Sequence, residues 1–455
     1  MILSGIKKEG IWFLFVLFVL FMLILPEPCH AAIAAPGGEV ENMKELNAAL
    51  GGIHKLDGNT IRLKDDIILQ KEVIMRDFKS NVTILSNGKT VQAGKHVDAC
   101  FWVDKTNVRF KGKGTYLTTD PYAHCISGSA PCTITIDGGE FDPGANKVKI
   151  QLFGGSIPSD RARVVINDGN FESGIAVYNG DRYLWEEHDY EVSKPAVDLT
   201  VKKGIISSPI ILDKPWKYND DSEFTPEYDN GSNSIKIHNG TLSEILCNDT
   251  ISRIYGGTIK RMQCAYESKL YLNGGRIGRC SVTDNSNLVI KNITFFPRLA
   301  EEIVTKKVYD DQCLLIRDSQ AVINGGTFRE DAADNLAFRY GLTYPCIRIQ
   351  GKSKVRITGI SMDGAVYTKV PKSHKYTGIL LQGTSKFQPV LTLQAVKGRT
   401  IQVNNYKEAI ACSSKYCSVK LKKNTILELS GNKNTKYSSS DKLPDILKGD
   451  IVVSY

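Results

Sequence analysis

Residues 252–295 read SRIYGGTIKRMQCAYESKLYLNGGRIGRCSVTDNSNLVIKNITF, and one short pattern occurs in them three times. The copies are SRIYGGTI (252–259), LYLNGGRI (270–277) and LVIKNITF (288–295). Each is a short alternating strand, a glycine- or asparagine-bearing bend, and one apolar residue. The last inward residue before the bend is Ile254, Leu272 or Ile290, and five residues later stands Ile259, Ile277 or Phe295. Alternation of period two turns one set of side chains to one face of a strand. Gly and Asn at the bend permit tight or left-handed backbone.

The pattern extends in both directions. ITIDGGEF (134–141), VVINDGNF (164–171), LTVKKGII (199–206) and IKIHNGTL (235–242) precede it, and AVINGGTF (321–328) and VRITGISM (355–362) follow. Ser252 and Ala321 are the weak members of an otherwise larger apolar row. NVTILSNGKTV, NVRFKGKGTYL and VLTLQAV read as fainter copies further out. One such unit cannot bury its apolar face alone; stacked units give a continuous core. The expectation is an all-β chain, a single right-handed parallel β-helix with an N-terminal capping helix. A sandwich would not keep the five-residue offset, and a propeller blade needs four strands in about 40–50 residues. The steps from Ile237 to Ile254, Leu272 and Ile290 are 17, 18 and 18 residues, those of minimal coils. The longer steps read as coils with insertions, because the extra residues are polar, aromatic and proline-bearing with no apolar alternation.

The termini divide the chain further. Residues 1–34 have the layout of a secretory signal: Lys7 and Lys8, an apolar run from Ile11 to Leu25, and Ala32-Ile33-Ala34 as a cleavage site. An uncleaved anchor is the alternative, although the run is shorter than the roughly 20 residues of a spanning helix. Residues 35–60 read as a cap with a short helix over 39–50, residues 61–411 as the β-helix, and residues 412–455 as a Lys-rich C-terminal cap. These readings predict a secreted or cell-surface monomer with no stable membrane insertion after cleavage. The 58 Lys and Arg exceed the 49 Asp and Glu by nine, and residues 1–34 remove two of each sign. A basic exported protein suits an acidic partner such as an anionic polysaccharide; the scattered cations and lack of a recognition motif exclude nucleic acid.

Ten cysteines follow Cys29. Cys125/Cys132 and Cys412/Cys417 are close enough in sequence to bridge a loop. Cys247, Cys264 and Cys280 share the parity of inward residues and read as a ladder of small buried side chains, without the convergent spacing of a metal site.

Two insertions supply the candidate binding residues. The first carries Trp185, Glu186, Glu187, Asp189 and Tyr190; the second carries Trp216, Tyr218, Asp220, Asp221 and Glu223. Both follow the same part of consecutive units, so they are expected on one flank. Aromatic faces stack on sugar rings, and the carboxylates could bind hydroxyls or a calcium ion, or act as an acid–base pair in glycoside cleavage. The same residues could equally pack on one another and shield the flank. No cofactor is expected beyond such a calcium. A second insertion pair holds Asp310-Asp311 and Glu330 in a mixed-charge setting.

The nine units from Ile134 to Met362, just over half the chain, resemble the right-handed β-helix repeats of the pectate-lyase-like superfamily of exported bacterial proteins. That resemblance implies the fold and a carbohydrate-related role, shared among lyases, hydrolases, adhesins and binding proteins. FWVDKTN (101–107) resembles the Trp-Ile-Asp-His strand of pectate lyases, but Lys105 stands in the place of the His. The Arg-x-Pro-x-x-Arg loop of those lyases and the full acid set of polygalacturonases are absent. The expectation is therefore a non-catalytic protein that binds polysaccharide or a cell-surface partner through flank loops. The rival is a polysaccharide lyase or glycoside hydrolase acting on an acidic polysaccharide.

Overall fold

The structure is a computed structural model. It describes residues 38–120, 123–142, 150–153, 161–171, 178–179, 196–212, 233–296, 312–329, 345–364, 377–394, 396, 399–404, 406, 408–422, 426–430, 434–438 and 451–453. The chain winds as a parallel β-helix whose coils each contribute a strand to three stacks, here called sheets 1, 2 and 3. Sheet 1 holds the strands before the repeated bend, sheet 2 those just after it, and sheet 3 those that return toward sheet 1.

The register of sheet 1 follows the repeat. Ile136 pairs with Ile166, then Val201, Ile237, Ile254, Leu272, Ile290, Ile323 and Ile357, each on the next coil. The long steps are therefore single coils carrying insertions, not two coils. Ile84 and Phe110 extend the row at one end, Leu393 and Leu421 at the other. The weak members Ser252 and Ala321 are buried in their places, and Ser252 Oγ donates to Cys247 Sγ at 3.6 Å.

The apolar residue after the bend builds the core of sheet 2. Phe141 and Phe171 stack at 4.6 Å between ring centroids, and Phe295 and Phe328 at 4.3 Å. These distances approximate the strand spacing of about 4.8 Å, so identical rings on consecutive coils fall face to face. The bend itself admits little else: Gly257 has φ +85°, and a Cβ there would lie 2.8 Å from the carbonyl oxygen of Gly240 on the preceding coil.

A second ladder, polar and fully internal, closes the corner between sheets 3 and 1. Thr250 N–H donates to Ser268 Oγ (3.1 Å), Ser268 N–H to Ser286 Oγ (3.1 Å), Ser286 N–H to Ser319 Oγ (3.2 Å) and Ser319 N–H to Ser353 Oγ (3.3 Å). Each hydroxyl satisfies a backbone donor that the corner would otherwise bury without a partner.

The first end of the solenoid is capped by a helix, Met43–Gly51. Asn42 accepts from Glu45 N–H (3.0 Å) while Glu45 accepts from Glu41 N–H (2.9 Å), a reciprocal cap. Leu46, Ala49 and Leu50 are its buried face. The expected helix over 39–50 begins later than expected, because Glu39 and Val40 pair with Arg62 and Leu63 as the first sheet 1 strand. At the other end the coil passes residue 411: Ser418–Leu421 continues sheet 1 and Ile426–Ser430 continues sheet 2. In sheet 2 the parallel run ends where Asn434–Ser438 pairs antiparallel with that strand, while Ile451–Val453 adds a further parallel strand beside Glu408–Cys412.

None of the ten described cysteines is in a disulfide. Cys247 and Cys264 are lateral neighbours, and Cys280 lies opposite Met262, two positions along, as the parity requires. Burial pushes the Cys280 thiol up to about 12. Among the described residues no helix is long and apolar enough to cross a membrane; residues 1–34, expected to be a secretory signal, lie outside them.

Candidate functional site: a cationic sheet

The candidate loop residues Trp185, Glu186, Glu187, Asp189, Tyr190, Trp216, Tyr218, Asp220, Asp221 and Glu223 all lie outside the described residues, as do Asp310, Asp311 and Glu330. The strands that flank the first two insertions are described. One insertion joins Tyr178–Asn179 of sheet 3 to Ala196–Val201 of sheet 1; the other joins Ile205–Leu212, whose second half is in sheet 3, to Asn233–Ile237 of sheet 1. Both insertions are thus anchored at the same corner on consecutive coils. Among the described residues no cluster of His, Cys, Asp or Glu could hold a metal ion.

The described surface offers a different feature. Alternation along sheet 1 turns every residue between two core positions outward. Along one outward row, register partners follow in the order Lys236, Arg253, Tyr271, Val289, Val322, Arg356, Thr392 and Lys420. The parallel row beside it runs Ser234, Ile251, Lys269, Asn287, Gln320, Lys354, Val390 and Ser418. Six cations therefore stand on eight consecutive strands with no outward carboxylate among them. The middle of the first row, Tyr271, Val289 and Val322, is uncharged and flat. Arg253 lies over the Tyr271 ring, 5.4 Å from its centroid. A shallow cavity of about 470 Å³ lies over Val289, Val322, Lys354, Arg356 and Lys420.

The other half of sheet 1 differs in its electrostatics. There Arg109 is bonded to Asp137, and Arg161 makes two hydrogen bonds of 2.8 Å to Asp198. Burial pushes the Asp198 carboxyl up, but hydrogen bonds from Arg161 and Ser234 outweigh it and hold the group below the usual carboxylate range. Carboxylates therefore stand among the cations of these coils, whereas the outward rows from Lys236 onward carry none.

Asp104, in the strand that resembles the pectate-lyase motif, is bonded to Arg76 on the neighbouring sheet 3 strand, and Trp102 Nε1 donates to Ser129 Oγ at 3.2 Å. Each of the six sheet 1 cations immediately precedes an inward Ile, Leu or Val in the sequence. Only the lateral register shows that they align.

No family model, curated protein or solved structure matches this chain.

Proposed function

We propose that this is an exported, non-catalytic protein that holds an acidic polysaccharide along the cationic half of sheet 1. The observation that carries the reading is the alignment of Lys236, Arg253, Lys269, Lys354, Arg356 and Lys420 around Tyr271, Val289 and Val322 with no outward carboxylate between them. From Arg253 to Arg356 is four strand spacings, roughly 19 Å, a length suited to an extended chain with repeated anionic groups. Guanidinium groups take carboxylate or sulfate in two-pronged fashion, and the Tyr271 ring and the valines offer an apolar strip for the faces of sugar rings. The net positive charge and the signal layout of residues 1–34 fit a secreted or cell-surface location. The resemblance to the pectate-lyase-like superfamily agrees with a glycan partner. The insertions bearing Trp185 and Trp216 are anchored at the edge of this same sheet and would extend the surface.

The test is chromatography of the purified chain on immobilised acidic and neutral polysaccharides, with assay of new reducing and unsaturated ends. Retention on the acidic supports without cleavage, lost in the triple variant Arg253→Gln, Arg356→Gln, Lys420→Gln, is the expected result. Equal retention of that variant sinks the reading, and cleavage of the glycan replaces it with the lyase or hydrolase.

A further inference from the structure

Two cysteines that the sequence sets 33 positions apart meet in the coil interior. Cys313 and Cys346 stand on consecutive coils, one residue before Leu314 and Ile347, which are lateral partners in sheet 3. Cys346 Sγ lies 3.4 Å from Cys313 Sγ, and the two residues are 1% and 2% exposed. Leu314 N–H donates to Cys346 C=O at 3.1 Å, so the two backbones are held side by side. Neighbouring strands are about 4.8 Å apart, inside the roughly 4.4–6.8 Å between Cα atoms that a disulfide spans. Forming the bond therefore asks for rotation of side chains, not for movement of the coils.

The other cysteine neighbours are placed differently. Cys247 and Cys264 are lateral partners inside regular strands. There the pleat keeps parallel side chains near the strand spacing at Cβ, beyond the roughly 3.5–4.5 Å of a disulfide. Cys100 and Cys125 direct their sulfurs to the carbonyl oxygens of Leu117 and Tyr116, both at 3.3 Å, and Cys417 directs its own to that of Leu381 at 3.4 Å. Cys313 and Cys346 precede their strands, which begin at Leu314 and Ile347, so no pleat holds their side chains parallel.

The stretch between the two cysteines is one full coil, with Leu314–Arg317 in sheet 3, Gln320–Ile323 in sheet 1 and Thr327–Arg329 in sheet 2. A bridge would tie the start of this coil to the start of the next. The longer the loop a bridge closes, the more entropy it removes from the unfolded chain. The same two coils set Gln320 and Val322 beside Lys354 and Arg356 on sheet 1.

We infer that Cys313 and Cys346 are the site of a structural disulfide, made by exchange with a disulfide donor of an oxidising compartment while the coil folds. One protein thiolate attacks the donor disulfide, forms a mixed disulfide and expels the first donor thiol. The second protein thiolate attacks the protein sulfur of that mixed disulfide and expels the other donor thiol. The cysteines lose two electrons and two protons, and the donor takes up both as two thiols. Burial of both sulfurs in the finished coil places the exchange before the coil closes and shields the bond afterwards. The signal layout of residues 1–34 fits a compartment in which such bonds persist. The inference does not depend on what sheet 1 binds.

Cell-free synthesis of the full-length chain, once in a buffer of reduced and oxidised glutathione and once under strong reductant, tests it. Each product is alkylated in denaturant and digested without reduction for mass spectrometry. A peptide pair joined through Cys313 and Cys346 is expected in most molecules of the first product and in none of the second. The oxidised chain should melt about 4 °C or more above the reduced one, and the double variant Cys313→Ser, Cys346→Ser should show no such gap. Both cysteines alkylated in the oxidised product, or either one joined to a different cysteine, overturns the assignment. So does a bridged chain that melts no higher than the reduced one, or a gap that persists in the double variant. Should that variant fail to fold, the peptide map and the melts of the native sequence decide.

Discussion

The guanidinium of Arg253 lies over the ring of Tyr271 on the next coil, 5.4 Å from its centroid, because the two residues are lateral partners in outward positions of sheet 1. The ring holds the arginine flat against the sheet at the edge of the uncharged strip of Val289 and Val322. A cation already ordered by a ring loses less side-chain entropy when it meets an anion.

Tyr271→Ala is therefore expected to weaken retention on an acidic polysaccharide by about 1 kcal/mol, counting lost ring stacking and a looser Arg253. Arg356→Gln should weaken it and also lower its dependence on salt, since a charge contact is lost. Melting temperatures near wild type for both variants, measured by calorimetry, would separate this effect from misfolding.

The stack of core residues gives a sharper contrast. Leu272 is fully buried between Ile254 and Ile290, whereas Lys291 is exposed at the bend. Leu272→Asp should cost about 4 kcal/mol or more, because the carboxylate has no partner inside the coil. Lys291→Asp should change stability by less than about 0.5 kcal/mol. Equal denaturation midpoints in urea would show that the two faces have been assigned wrongly.

At the bend, Gly257→Ala places a methyl group 2.8 Å from the Gly240 carbonyl oxygen in a left-handed conformation. The expected loss is about 2 kcal/mol. Gly52→Ala, at the end of the capping helix, is the control: its nearest neighbour would be 3.7 Å away, and φ is −110°. A thermal melt that ranks the two variants the other way would contradict the stacked-bend geometry.

Acid should act on the Arg161–Asp198 pair. The folded carboxyl is held below its ordinary range, so its contribution is complete above the unfolded value of about 3.9 and is lost as pH falls through the folded one. The Arg161 side chain is 35% exposed and that of Asp198 26%, so screening limits the contribution to about 1 kcal/mol. Asp198→Asn should be less stable than wild type at pH 7, and the gap should close below pH 4. A gap that stays constant from pH 7 to pH 3 would assign the loss to packing instead.

Thiol chemistry reports on burial directly. With the thiols of Cys132 and Cys280 pushed up to about 12 by burial, only roughly one in 10,000 is a thiolate at pH 8. Native protein should resist iodoacetamide at both positions, and protein in guanidinium should be labelled fully. Rapid labelling of Cys280 in the native state would mean that the ladder is open to solvent.

Much of this architecture was legible along the chain. Ile254, Leu272 and Ile290 recur with an apolar residue five positions later because each coil must present the same inward atoms to the coils above and below. A repeat constrained by stacking leaves its period in the sequence. The capping helix was legible for a similar local reason, since Asn42 and Glu45 satisfy its first amides from within four residues. The serine and threonine ladder was not, because Ser268, Ser286, Ser319 and Ser353 look like ordinary corner residues until their hydroxyls meet the amides of neighbouring coils.

Sequence alone determined the class of fold, the inward face of each strand and the places where coils carry insertions, since all three follow from short-range alternation and spacing. Only the tertiary structure decided which surface residues stand together. Arg253 and Arg356 are 103 positions apart in the chain, yet only four strand spacings apart on the sheet. Outward side chains have no packing partner to impose a period on them. Their alignment into a cationic row comes from the lateral register that the buried core enforces.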